Sequence, residues 1–344
     1  MRPIRAIIYG VGSMGALITP MLLQKGVEIV GALARSATKV GRDLGQVAGL
    51  DRDIGVIVED DPAALLARQS PDIAIVSVGS LVAAMYEHFR ICLEHRVNVL
   101  TIEEESLYPW LTSPSQSAEL DEIAKRNGVT LVGSGIQDVY WVKQVSAVAG
   151  SMLTVESVEG RAQWNMDDFG PEVAREFYIG RKPEELDLAA SNGGWYSPTV
   201  VNTLHALVAD LGLTVEATQV SVRPIAAVGD VRSEALGAVV PAGRVIGLVE
   251  AGRVRTGEGS TVDFEMTGRV YDPVTDVDMN EWLVHGAPAD VRLANVGYST
   301  RALTGSIITN RVPDVLNAPP GLVTIDRLPP AQHRPLPLAH YVRW

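Results

Sequence analysis

Five short apolar segments alternate with helix-period segments through the first third of the chain, and this alternation limits the fold more than any other feature. Residues 5–10, 27–34, 71–79, 97–102 and 129–135 are apolar runs of strand length. Residues 13–26, 61–70, 82–96 and 117–128 carry apolar side chains at helical spacing. Strands that are apolar on both faces need cover on both, so the pattern predicts a parallel sheet between two layers of helices. The punctuation agrees with this. Asp61 and Pro62 read as an N-cap and first helical position, and Gly26 and Gly128 as helix stops.

The pattern changes after about residue 150. Segments 154–165, 216–227, 245–255 and 260–272 are longer and alternate polar with apolar residues, as antiparallel strands with one open face do. Helices are expected at 198–212 and about 303–317, before a Pro-rich tail. The 344 residues suffice for two domains, and 47% hydrophobic against 20% charged content allows a large core. A net charge of −12 argues against nucleic acid as a partner. It leaves room for an anionic cofactor held by backbone amides and a local basic patch. The single cysteine, Cys92, allows no internal disulfide or thiolate cluster, and it reads as a core residue. The six histidines show no metal-ligand spacing, so no metal is expected. No apolar run has the length of a membrane span, and the first residues do not read as a signal segment. The expectation is a soluble, cytoplasmic protein.

"YGVGSMG" places Gly10, Gly12 and Gly15 in G-x-G-x-x-G spacing between the first strand and the first helix. That context points to a dinucleotide site of the Rossmann type, with Ser13 and Met14 in the same turn. The second strand then ends in "GALARSATK". Ala34 stands where an acid would bind a ribose 2′-OH, and Arg35, Ser36, Thr38 and Lys39 follow. A carboxylate would repel a 2′-phosphate, whereas Arg and Ser would bind it, so NADP(H) is the expected cofactor, with NAD(H) as the alternative. Ser77, Gly79 and Ser80, at the end of another strand, would let the backbone run beside the nicotinamide half.

The strand at 97–102 drops into three glutamates, Glu103, Glu104 and Glu105, then Tyr108, Pro109 and Trp110. In a doubly wound sheet this strand end is at the ligand-binding rim, which puts the carboxylates there rather than in the core. "NVLTIEEESLYPW" resembles a Thr-x-x-Glu-Glu-x-x-Tyr-Pro pattern of 2,4-diaminopentanoate dehydrogenase and the related amine dehydrogenases, carried here by Thr101, Glu104, Glu105, Tyr108 and Pro109. Residues 39–49 and the Ala-Pro-Pro-Gly-Leu element within 310–329 are similar to the same group. One departure stands out. "GSGIQDVYWV" puts Gln137, Asp138, Tyr140 and Trp141 where the diaminopentanoate enzymes have an Asn-Pro-Gly element, which implies a different substrate.

The resemblance implies deamination of an amine to a ketone and ammonia, and the reverse reductive amination, with one glutamate of the pattern as base. Glu104 is the first choice and Glu105 the alternative. A carboxylate suits this work because it accepts a proton from an ammonium group and stabilises an iminium by charge. No lysine follows the glutamates, unlike the Glu-Lys-Pro of sugar oxidoreductases of similar layout. The expected substrate pocket is apolar, built from Tyr140, Trp141, Trp164, Trp195, Tyr196 and His205, with "SNGGWYSP" as a lid-like loop. His205 reads equally as a core histidine. The resulting expectation is an α/β fold. Residues 1–135, completed by 306–344, form the NADP-binding Rossmann domain. Residues 136–305 form an α+β substrate-binding and dimerisation domain with an open antiparallel sheet, paired in a homodimer as the resemblance implies. An imine or carbonyl reductase, or a non-catalytic NADP-binding sensor, remain alternatives.

Overall fold

The computed structural model describes residues 2–191 and 198–344. In chain order, the first elements are β1 (Arg5–Tyr9), α1 (Ser13–Gln24), β2 (Glu28–Leu33), the short α2 (Leu44–Val47), β3 (Val58–Glu59), α3 (Pro62–Gln69), β4 (Ile73–Val76), α4 (Val82–Glu94), β5 (Asn98–Thr101), α5 (Pro114–Asn127) and β6 (Thr130–Gly133). Then come α6 (Gln144–Ala149), β7 (Thr154–Asn165), α7 (Pro171–Glu176), α8 (Pro183–Ser191), α9 (Thr199–Asp210), β8 (Val215–Ala226), β9 (Val231–Ser233), β10 (Ala238–Val240), β11 (Val245–Thr256), β12 (Thr261–Arg269), β13 (Asp278–Ala287) and β14 (Val291–Tyr298). The chain closes with α10 (Thr300–Asn317) and β15 (Gly321–Leu322). It divides into two compact units, Met1–Val139 with Ala302–Trp344, and Tyr140–Arg301.

The first unit holds a seven-stranded sheet in the order β15-β6-β5-β4-β1-β2-β3. Every pairing in it is parallel. Because β1 lies between β4 and β2, successive crossovers leave it in opposite directions, and this switch point opens a crevice at the carboxyl ends of β1 and β4. β4 and β6 are buried throughout, and β1 and β5 after their first residue, as their apolar runs require. Ile7, Ala74, Val99 and Leu131 pack with Phe89, Cys92 and Leu120 from α4 and α5 in one core. Each such large side chain contributes about 1.5–3 kcal/mol by leaving water. The caps follow the sequence reading. Asp61 accepts from Ala64 N at 3.0 Å, and Gly128 ends α5 in the left-handed conformation. The Pro-rich tail folds back on the start of the same unit. Leu338 N donates to Lys25 O at 3.0 Å, and the Arg2 guanidinium lies 3.8 Å above the Trp344 ring.

The second unit is built on a six-stranded sheet, β14-β13-β7-β12-β11-β8. Four of its pairings are antiparallel, but β7 and β12 run parallel, so the sheet is mixed rather than antiparallel throughout. The reason is topological. β7 is central and pairs with strands that arrive about a hundred residues later in the chain, and alternation in a single strand carries no information on its partner's direction. α9 is buried along most of its length. On β12 and the second half of β11 buried residues alternate with more open ones, which carry cross-strand pairs such as Arg253–Asp263, whereas the first half of β11 and the middle of β13 are buried without a break.

Candidate active site

The glycine-rich turn is held by close packing. Gly10 has φ +105°, and a Cβ there would lie 2.5 Å from the Ser77 carbonyl oxygen. A Cβ on Gly15 would collide with the Gly10 carbonyl oxygen. Gly12 differs: a Cβ there would meet nothing within 4 Å. Gly12 stands before the first residue of α1, whose first turn carries no acid, so open space faces a helix N-terminus whose amide groups favour an anion. Met14 is buried and offers only its backbone, while Ser13 is partly exposed beside it. Two tight glycines around one open one are what a pyrophosphate needs, so these residues fit a dinucleotide.

Neighbouring strand ends are tied to this turn. Gly10 N and Val11 N both donate to Leu33 O at the end of β2, at 3.0 and 3.2 Å. Ser77 Oγ, past β4, donates to Gly10 O at 2.8 Å. Gly79 packs against Met85, and Ser80 is half-buried beside it. On the segment after β2, Arg35 is exposed, Ser36 Oγ and Thr38 Oγ1 are 2.7 Å apart, and Lys39 Nζ donates to Val11 O at 2.7 Å. Lys39 therefore braces the glycine turn itself. The structure thus brings Gly10–Gly15, Ser77 and Lys39 into one assembly, with Arg35, Ser36 and Thr38 on the loop that follows β2.

The glutamates divide into two roles. Glu103 and Glu105 are buried, 1% and 2% exposed, which corrects the expectation that all three carboxylates stand at the rim rather than in the core. Glu103 accepts from Glu105 N at 2.9 Å and Ser106 N at 2.8 Å, and its carboxylate also meets Ser106 Oγ. Burial drives its pKa well above the ordinary carboxylate range, against the pull of Ser106 and with the help of Glu104 and Glu105. Glu105 accepts from Val82 N, the first residue of α4, at 2.8 Å and from Ser113 Oγ at 2.6 Å. The alternative base is thereby engaged at both oxygens as a cap for α4. Thr101 starts the turn: its Oγ1 donates to Val76 O and accepts from Glu103 N, both at 3.0 Å. Gly133 on β6 lets the backbone at Ser106 and Leu107 approach closer than any Cβ would allow. Glu104, between these two buried carboxylates, is partly exposed. The chain of contacts from Gly10 through Ser77 and β4 to Val82 and Glu105 sets this turn on the same sheet edge as the glycine turn.

The expected pocket residues lie in the second unit. Trp141 is 3% exposed, and its ring is 5.0 Å from Phe264, which stacks on Trp282. Tyr140 stacks on Tyr298, and Trp164 meets Phe169 and Phe177 edge-on. His205 on α9 is buried, with Nε2 at 2.9 Å from Thr218 Oγ1 on β8, and burial lowers its pKa to about 4. Trp141 Nε1 and His205 Nδ1 are buried and have no hydrogen-bond partner among the described residues. Trp195 and Tyr196 lie outside the described residues. A separate cavity of about 470 Å³ in the first unit is lined by Tyr108, Trp110, Lys125 and Arg327, beside β15 and four strands from β1. It contains neither the glycine turn nor Glu104. Asp138, within the segment that departs from the diaminopentanoate pattern, is fully buried and takes two bonds from Arg311 on α10, at 2.6 and 2.7 Å. No sequence signal joined those two residues, which are 173 positions apart.

Residues 142–334, more than half of the chain, match the model of the 2,4-diaminopentanoate dehydrogenase C-terminal domain. The chain belongs to the 2,4-diaminopentanoate dehydrogenase family. Residues 4–101 of this family member match the N-terminal part of dihydrodipicolinate reductase. The 2,4-diaminopentanoate dehydrogenase of Acetoanaerobium sticklandii is 26% identical over 338 residues, covering 96% of this chain and 94% of the relative. An amine dehydrogenase structure from Mycobacterium smegmatis superposes with a TM-score of 0.94 at 47% identity, covering 97% of this chain and 98% of that one. A probable dehydrogenase from Thermotoga maritima, 14% identical, shares the fold with a TM-score of 0.61 over 94% of this chain and 92% of that one. As a member of this dehydrogenase family the chain is an NAD(P)-dependent oxidoreductase.

Proposed function

We propose that this protein catalyses the reversible, NADP(H)-dependent deamination of a small hydrophobic amine to a ketone and ammonia, with Glu104 as the base. That the dehydrogenase acts on an amine is the property its named relatives carry. The observation that supports Glu104 as the base is the difference in burial among the three glutamates. Glu103 and Glu105 are buried and bonded into the turn, and Glu104 is the carboxylate presented at the end of β5.

A bound nicotinamide supplies the hydride chemistry. The chain's own residues manage charge and protons. Glu104 takes a proton from the substrate ammonium in deamination and passes it to solvent, so that its regained negative charge stabilises the cationic iminium left when the amine loses its hydride, and in the reverse direction it returns a proton to the amine. Gly10, Gly12 and Gly15 admit the pyrophosphate, with Ser13 and Met14 offering backbone. Arg35, Ser36 and Thr38 take the 2′-phosphate. Lys39 stiffens the glycine turn, and Ser77, Gly79 and Ser80 flank the nicotinamide half. In the second unit, Tyr140, Trp141, Trp164 and His205 serve the substrate, together with Trp195 and Tyr196. The unpartnered Trp141 Nε1 and His205 Nδ1 support that assignment, since buried polar atoms are usually satisfied. Cytoplasmic location and a homodimer paired through the second sheet belong to the same proposal. No helix among the described residues is long and apolar enough to cross a membrane.

The test is NADPH oxidation by the purified protein with small ketones, with and without concentrated ammonia near pH 9, with NADH and Glu104→Ala alongside. Ammonia-dependent oxidation that disappears in the variant supports the proposal. Oxidation without ammonia would assign a carbonyl reductase. Tight NADPH binding with no turnover on ketones or cyclic imines would leave a cofactor-binding sensor.

A further inference from the structure

Arg35 is held by a histidine that belongs to no motif. His88 lies on α4, half-buried, with both ring nitrogens engaged. Nε2 is 2.8 Å from Arg35 Nη2, and Nδ1 is 2.8 Å from Tyr9 Oη. A guanidinium has donors and no acceptor, so Nε2 must accept and a neutral ring must carry its proton on Nδ1, donating to the Tyr9 oxygen. Tyr9 is 6% exposed on β1, and its ring meets the imidazole edge-on at 5.2 Å. The imidazole is thus fixed from the core side by a central strand, and on its outer side it receives the guanidinium.

We propose that His88, fixed by Tyr9, is a positioning residue that orients Arg35 toward a ribose 2′-phosphate and thereby sets the preference for NADP(H) over NAD(H). The inference rests on the reading above that Arg35 contacts that phosphate. An exposed arginine loses about 2 kcal/mol of rotamer freedom when a ligand immobilises it. One held in place before the phosphate arrives loses less, and the planar group keeps its remaining donors for the anion. The charges acting on the His88 ring are Arg35, which disfavours a second proton, and Glu87 beside it on α4, which favours one. Burial, the largest influence, acts with Arg35, so the ring stays in the neutral, accepting form at neutral pH.

Dissociation constants measured on the full-length protein test this. NADPH and NADH are followed by nicotinamide fluorescence, and 2′,5′-ADP and 5′-AMP by calorimetry, for the wild type, Arg35→Ala, His88→Leu and His88→Gln. His88→Leu is expected to lower the NADPH-to-NADH affinity ratio by about tenfold, the size of one net hydrogen bond to a charged group. The loss falls on NADPH and 2′,5′-ADP and spares NADH and 5′-AMP. His88→Gln, whose amide oxygen reaches toward the Nε2 position, restores most of the ratio. If Arg35→Ala lowers the ratio and His88→Leu does not, the inference is overturned while the role of Arg35 stands. If Arg35→Ala leaves the ratio unchanged, both fall. A reading that needs no variant comes from the ¹⁵N shifts of the wild-type imidazole at neutral pH: the Nδ1–H tautomer is expected, and an Nε2–H tautomer at His88 overturns the inference.

Discussion

The turns after β1 and β5 sit on one sheet edge and are built by opposite means. The first removes side chains. Two of its glycines are needed because backbone stands where a Cβ would be, and the third leaves space open. The second adds charge. It packs three carboxylates together, then buries two and bonds each to groups that need an acceptor. On the proposed function, the first turn supplies space for a phosphate and the second supplies a partly exposed carboxylate, Glu104, between two buried ones. The glycine turn is held at Gly10 and Gly15, where no side chain fits. The glutamate turn is rigid because its buried acceptors are all engaged.

Five substitutions press on this contrast. The largest effect is expected at the presented carboxylate: Glu104→Gln should lower turnover by about 10²–10⁴-fold, the usual worth of a positioned acid–base group, while NADPH binding persists. Steady-state rates beside a fluorescence titration separate the two. Next comes a locked carboxylate. Glu105→Ala strands Val82 N and Ser113 Oγ and should destabilise the fold by about 2–4 kcal/mol, read as a lower urea midpoint. A Glu105→Ala protein as stable as the wild type would mean the second turn is not held as described.

The glycines should respond in a split manner. Gly15→Ala forces a Cβ onto the Gly10 carbonyl and should destabilise by about 1–3 kcal/mol. Gly12→Ala should leave the urea midpoint unchanged and weaken NADPH binding, because its Cβ enters the open space. Equal stability losses at the two positions would erase the distinction between a packing glycine and an admitting one. The smallest effect is a slope. The folded-state pKa of Glu103 is raised by burial, so between the ordinary glutamate pKa and that raised value the folded state binds more protons than the unfolded. Its contribution to stability is therefore full at acid pH and declines as pH rises through the raised pKa. Glu103→Gln, which cannot ionise, should remove the decline that sets in above the ordinary glutamate pKa and match the wild type near pH 4.

The sequence made the first turn legible and the second only partly so. G-x-G-x-x-G after an apolar strand is a local instruction, since each glycine answers to a backbone angle or a neighbour that the βαβ unit itself supplies. The three glutamates are visible in the sequence, and their likeness to a family pattern is what suggests a role in the chemistry, but which of them are buried is not visible. It depends on Ser113 and on the N-terminus of α4, which other segments bring into reach. His88 gave no signal at all. Its partners are 53 and 79 residues away, and on α4 it reads as one more polar position.

The sequence by itself therefore determined the layered parallel unit, the helix caps, the dinucleotide turn and the missing acid after β2. These follow from periodicity and backbone preference within some thirty residues. Only the tertiary structure decided that β7 and β12 run parallel, that Arg311 closes on Asp138, that Glu105 is a cap and Glu104 is presented, and that Arg35 rests on His88 and Tyr9. Each of these is a choice of partner across the chain. Many side chains have compatible chemistry, and chain closure and packing, not local propensity, select which of them meet.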